Sequence, residues 1–154
     1  MRYVAKSQRN FFAQHPFAAS DLRAMEAMTP EMVKVVGLMS RDGVLLLAGT
    51  DIAGPRIPGF SLQDELSMLV KAGLRPLQAL QTATLNPAVV IHRTKDFGAV
   101  EVGKFADLVL LDANPLEDIG NTQRISAVIV RGRVFRRNDL DHLLREAHEL
   151  ANQN

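Results

Sequence analysis

Gly43-Val44-Leu45-Leu46-Leu47-Ala48-Gly49-Thr50-Asp51 is the stretch on which the fold turns. Val44 to Ala48 are apolar without a break, with a turn signal before them and Gly49 behind. A run this short and this apolar predicts a strand buried on both faces, the habit of parallel sheets. It ends in Gly-Thr-Asp. A carboxylate just past the carboxyl end of a buried parallel strand stands where α/β folds carry their chemistry. That makes Asp51 the first candidate for function, with a simple loop start as the plainer alternative.

Upstream, Ala19 to Met28 has helical spacing with Ser20 as its N-cap. Thr29-Pro30-Glu31 then predicts a second helix start, with Thr capping and Pro at the first helical position. Met32, Val35, Val36 and Met39 form its apolar stripe, and Arg41-Asp42-Gly43 stops it. Met25, Met28, Met32 and Met39 read as fillers of a core. Downstream, two Gly and two Pro between Ile52 and Phe60 make a loop. Ser61 to Asp64 fits a capping box opening a helix that runs to Ala72 and closes at Gly73. Pro76 opens another helix, and Asn86 is the expected N-cap of a short third one. From Phe97 to Lys104 the pattern alternates and turns on glycines. Ala106 to Asp112 and Ile125 to Arg131 read as strands, with Gly132 turning the second into a hairpin. Asn138 is the expected N-cap of a last helix, whose apolar face is Leu140, Leu143, Leu144, Ala147, Leu150 and Ala151.

The expected organisation is an α/β layer over residues 1–95, a small β unit of three or four strands over 96–137, and a terminal helix over 138–154. One parallel strand cannot pair its own backbone groups. Its neighbours must lie in residues 1–17 or in another polypeptide.

Composition narrows the function classes. The chain has 154 residues, 47% of them apolar and 23% charged, which suits one domain or a large piece of one. A net charge of +1 gives no support to nucleic-acid binding. No apolar run reaches membrane-span length, and a cytoplasmic location is the default expectation. With no cysteine, any metal would need His, Asp or Glu. The four histidines, His15, His92, His142 and His148, form no His-x-His pair and read as surface or packing residues. A phosphate site is disfavoured, because no Gly-rich phosphate loop follows the strand and Asp51 would repel the ligand.

Five pieces occur in one order: Gly43 to Asp51; Ser61-Leu-Gln-Asp-Glu-Leu66; Ala72-Gly-Leu-Arg-Pro-Leu-Gln-Ala-Leu80; Ala83-Thr-Leu-Asn-Pro-Ala88; and Gly98 through Gly103-Lys-Phe-Ala-Asp-Leu-Val-Leu-Leu-Asp112. Over roughly residues 30 to 135 this resembles the carboxyl-terminal third of a metal-dependent amidohydrolase of the imidazolonepropionase-like and prolidase-like branch. The resemblance implies an α/β fold: the last strand of a (β/α)8 barrel with its helices, plus the returning strands of a flanking small β-sandwich. It implies that Asp51 is a metal ligand that also shuttles a proton from the metal-bound water, which is sound chemistry for a carboxylate beside a metal. It implies one or two divalent metals, zinc the first choice, in the complete enzyme, and a small amide, cyclic amide or dipeptide-like substrate.

The departures are as telling. The family's His-x-His pair, its lysine or glutamate ligand and its further histidines lie on strands that this chain lacks. Gln63 stands where many relatives carry a histidine, which implies a changed substrate contact or a relaxed constraint and makes it the candidate substrate-binding residue. A hydrolytic site needs about three protein ligands, so the chain alone is expected to bind no catalytic metal and to be inactive. The alternative is a non-catalytic assembly module, pairing with itself or with a partner that supplies the missing barrel strands.

Overall fold

The computed structural model describes residues 3–16, 18–50 and 59–153. Two parts are distinguishable, a layer of helices and a three-stranded sheet with a long helix on it.

The helical layer comprises α1 (Lys6–Gln14), α2 (Ala19–Arg41), α3 (Ser61–Lys71), α4 (Pro76–Thr82) and α5 (Leu85–Val90). Of the two sources foreseen for a neighbouring strand, residues 1–17 supply none among those described, since α1 occupies most of that segment. The two expected helices on either side of Thr29 are one 23-residue helix, α2, with Ala18 rather than Ser20 at its N-cap and Pro30 inside it. A proline removes a single backbone donor, and a long helix can carry that loss. The face that α2 buries shares only Val36 with the expected stripe. Gly37 is buried and Val33, Val36 and Ser40 are half-buried, while Met28, Met32, Val35 and Met39 are exposed. Gly37 decides that face. A Cβ there would lie 2.2 Å from the Ala72 carbonyl oxygen at the end of α3, so the two backbones approach as only glycine allows.

The expected caps shift by a residue or two. Phe60 is the N-cap of α3 and Ser61 is already helical, so no capping box forms there. Thr84, not Asn86, precedes α5, which releases the Asn86 side chain for a longer-range contact described below. Pro76 opens α4 as expected.

The core lies between this layer and the sheet. Leu66 of α3, Ala79 of α4 and Ile119 are buried together, with Leu69, Val70, Leu80 and Ala83 packed around them. Ile119 belongs to a 3₁₀ turn, Ile119–Gln123, which is capped by Asp118 accepting from Gly120 N–H at 2.8 Å. Buried Thr82 and Thr122 keep their hydroxyls satisfied by donating to Ala79 O and Ile119 O.

The sheet is an antiparallel meander of β1 (Leu108–Leu111), β2 (Ile125–Val130) and β3 (Arg133–Arg136). Leu108 pairs with Ile129 and Val109 with Val128; Val128 in turn pairs with Phe135. Arg131 and Gly132 both take positive φ, 50° and 79°, which gives the two-residue hairpin loop the twist its strands need. Asp107 Oδ1 accepts from Arg131 N–H at 2.7 Å, tying the hairpin loop to the start of β1. Phe97 to Lys104 forms turns and no strand, so the unit has three strands.

Helix α6 (Arg137–Gln153) follows β3 directly, starting one residue before the expected Asn138 cap. Arg136 N–H donates to Asp139 at 2.8 Å, which serves the turn in its place. Ala151 is buried and Leu140, Leu144 and His148 are half-buried, whereas Leu143 and Leu150 face solvent. Arg9 of α1 reaches the end of α6, donating to Asn152 Oδ1 at 2.7 Å. Among the described residues no helix is long and apolar enough to cross a membrane.

Candidate functional site

The stretch Val44–Thr50 forms neither helix nor strand and joins no ladder among the described residues. The strand expected to be buried on both faces is half open instead. Val44, Leu45 and Leu47 expose 46%, 50% and 47% of their surface, while Leu46 and Ala48 are half-buried. The reason is the one foreseen from the backbone: the described part of this chain offers no neighbouring strand, so one side of the run has nothing to pair with.

Three helices hold the stretch from its other side. Asn86 of α5 donates its side-chain N–H to Leu46 O at 2.8 Å. Ala48 N–H donates to Thr82 O at the end of α4, at 3.0 Å. Gly49 N–H donates to Glu65 Oε1 of α3, at 2.8 Å. Each anchor lies on a different element, and together they bring the stretch to its carboxyl end in a fixed direction.

That end opens into a cleft of about 590 Å³ between α2 and α3. Met28, Met32 and Met68 form much of its apolar lining, and Thr50, Asp64 and Glu65 supply polar groups. Methionines expected in the core therefore wall a cleft, a use that suits their flexible side chains. Glu65 and Asp64 are adjacent on one helix, so they point in different directions. Glu65 is committed to Gly49, and Asp64 is exposed.

Of the residues singled out by sequence, Asp51 lies outside the described residues. Gln63 sits on the first turn of α3, half-buried. With its amide nitrogen turned toward the loop, it donates to Phe60 O and Gly59 O at 3.1 and 3.0 Å. His15 stacks on Phe11 at 4.6 Å, His148 meets Tyr3 edge-on, and exposed His142 faces Glu146 at 3.5 Å. His92 is exposed at a positive φ of 55°. Among the described residues no three His, Asp or Glu side chains gather closely enough to hold an ion. By themselves they do not fit the metal that the resemblance implies. Sequence reasoning passed over Glu65 and gave Asn86 a local role. For Asn86 the available signal was a polar side chain inside a short apolar helix; Glu65 stands among other polar residues of α3 and carried no such signal.

Residues 7–135 match the Amidohydrolase family. Imidazolonepropionase of Herpetosiphon aurantiacus is 36% identical over 111 residues, covering 67% of this chain and 25% of that protein. Ochratoxinase of Aspergillus niger is 34% identical over 106 residues, covering 68% of this chain and 21% of that protein. A crystal structure of a Xaa-Pro dipeptidase with bound methionine superposes with a TM-score of 0.63 at 30% identity, covering 70% of this chain and 26% of that one. The chain belongs to the amidohydrolase family. Within that family it is imidazolonepropionase-like and prolidase-like. It spans about a quarter of the length of these relatives.

Proposed function

We propose that this chain is the carboxyl-terminal part of a metal-dependent hydrolase acting on C–N bonds, of amides, cyclic amides or dipeptide-like substrates. Val44–Ala48 is the last strand of the barrel, α3 to α5 are the helices behind it, and residues 96–137 are strands returned to a flanking small sandwich. In this reading residues 1–95 are barrel, and 138–154 are a terminal helix docked on the sheet. Amidohydrolases are generally metal-dependent. Asp51 is the one residue here assigned as ligand and as acid–base carboxylate, and Gln63 is assigned to the substrate. The remaining ligands come from polypeptide outside these 154 residues, with zinc as the expected ion and the cytoplasm as the expected compartment. The observation that carries the reading is the half-open stretch Val44–Thr50: three helices anchor it, yet Val44, Leu45 and Leu47 remain about half exposed.

The chain alone is therefore expected to give no metal-dependent turnover. The assay uses N-acyl amino acids and Xaa-Pro dipeptides with added zinc, on chain purified free of any longer enzyme. Rates that rise with zinc and vanish with chelator would overturn the reading. The exposed apolar edge favours one second reading, a module that pairs with its own copy. Light scattering separates the two, since a monomer at high concentration excludes obligatory self-pairing.

A further inference from the structure

We propose that Glu65 is a positioning residue: its carboxylate fixes the backbone of Gly49 and Thr50, and so the direction in which the chain enters Asp51.

The geometry singles out this side chain. Glu65 stands in the middle of α3, one residue before the buried core residue Leu66. Its Oε1 accepts the Gly49 N–H at 2.8 Å across sixteen positions of sequence. Its Oε2 is buried and meets no hydrogen-bond partner among the described residues. A carboxylate oxygen withdrawn from water without a partner costs free energy, and a leucine or methionine at this place would not incur that cost. Packing alone therefore does not account for a glutamate here. The bond to Gly49 is the one hydrogen bond that the described residues give its carboxylate.

The bond falls at the end of the stretch where it matters most. Leu46 and Ala48 are already held by Asn86 and Thr82. Gly49 is the last anchored residue before the cleft, and it tolerates backbone directions that other residues resist. Without an external acceptor on its amide, the course of the chain after Ala48 would have little to define it. Glu65 supplies that acceptor from a helix seated on the core, which is a rigid support.

The consequence for Asp51 rests on the hydrolase reading above. The positioning itself does not, and its test runs on the isolated chain. A negative hydrolysis result and a negative positioning result are thus distinct. Amide hydrogen exchange and amide chemical shifts are measured by NMR at Leu47, Ala48, Gly49 and Thr50, with urea unfolding alongside. In Glu65→Ala, Gly49 exchange rises by about tenfold, the worth of one net hydrogen bond. The Gly49 and Thr50 shifts move, Ala48 keeps its protection, and the urea midpoint holds. Glu65→Gln keeps an oxygen at the same reach and restores the Gly49 protection. Glu65→Asp, one methylene shorter, does not. Unchanged Gly49 exchange in Glu65→Ala overturns the proposal. So does a fall of the urea midpoint with Ala48 and Gly49 losing protection together, because that is the signature of a packing residue.

Discussion

Two stretches of this chain are nearly interchangeable as text and differ as structure. Leu45-Leu46-Leu47 and Leu108-Val109-Leu110-Leu111 are both short apolar runs beside a turn. Both leave large side chains open, with Leu45 and Leu47 at 50% and 47% exposure and Val109 and Leu110 at 55% and 47%. Yet Leu108–Leu111 is a paired strand, and Val44–Ala48 joins no ladder among the described residues. The difference lies in what else the polypeptide supplies. Fourteen residues after β1 ends, Ile125–Val130 offers a complementary edge, and the hairpin at Arg131-Gly132 adds a third strand. Among the described residues the earlier run is held by helices alone, and helices can satisfy scattered backbone groups but not a whole edge. An apolar run states a tendency, and a partner turns it into a sheet.

The harshest way to break the comparison is to remove the core both regions share. Leu66→Ala empties a site 4% exposed between Ala79 and Ile119, at the seam between helices and sheet. A cost of about 2–5 kcal/mol is expected, because a buried leucine leaves both its transfer energy and a cavity. Urea unfolding followed at once by far-UV circular dichroism and by amide signals of β2 should move as one transition. Two separated transitions would show that the sheet does not depend on the helical layer.

A smaller change should touch one region and spare the other. Gly37→Ala places a methyl 2.2 Å from the Ala72 carbonyl oxygen, a backbone atom that cannot step aside. Separating α2 from α3 should cost about 1–3 kcal/mol, the range for overpacking a filled contact. Amide shifts should change along α2, α3 and the cleft-lining residues while the β1–β2 pairs keep their exchange protection. Equal perturbation of the meander would mean that the regions are coupled more tightly than their separate packing suggests.

How much of this could be read from residues alone follows the same division. The meander was legible because its strands, its turn residue and its partner all lie within thirty positions, so one apolar run, one β-branched run and Gly132 sufficed; the alternating stretch Phe97 to Lys104 misled, since it forms turns. Helices α3 to α6 were legible as spans, whereas α1 went unread and α2 read as two helices; the buried faces were harder still. Periodicity in α2 pointed to Met32, Val35, Val36 and Met39; of these only Val36 is turned inward, half-buried beside Val33 and the buried Gly37. A close backbone approach at one glycine overrode the apolar stripe there, and spacing contains no record of it. The family was legible from five ordered pieces, and the match to residues 7–135 shows it. The anchoring of the open stretch was not legible. Glu65 to Gly49 and Asn86 to Leu46 join residues sixteen and forty positions apart, and local pattern sees neither.

The gentlest test bears on that last point and sharpens the contrast most. Asn86 donates one neutral hydrogen bond to Leu46 O from the first turn of α5. Removing it in Asn86→Ala should cost about 1 kcal/mol, the net worth of such a bond. Helix α5 itself should persist, since alanine suits a helix at least as well as asparagine. If the open stretch is held in place by a few side-chain and helix-end contacts, losing one should be felt locally and out of proportion to its energy. Leu45 and Leu47 amides should exchange faster, while Leu108 to Leu111 stay as they were. A paired strand spreads the loss of one contact over its ladder, whereas an unpaired stretch has no ladder over which to spread it. Unchanged exchange at Leu45 and Leu47 would mean that the stretch keeps its course without its anchors, and the distinction between the two runs would then reduce to pairing alone.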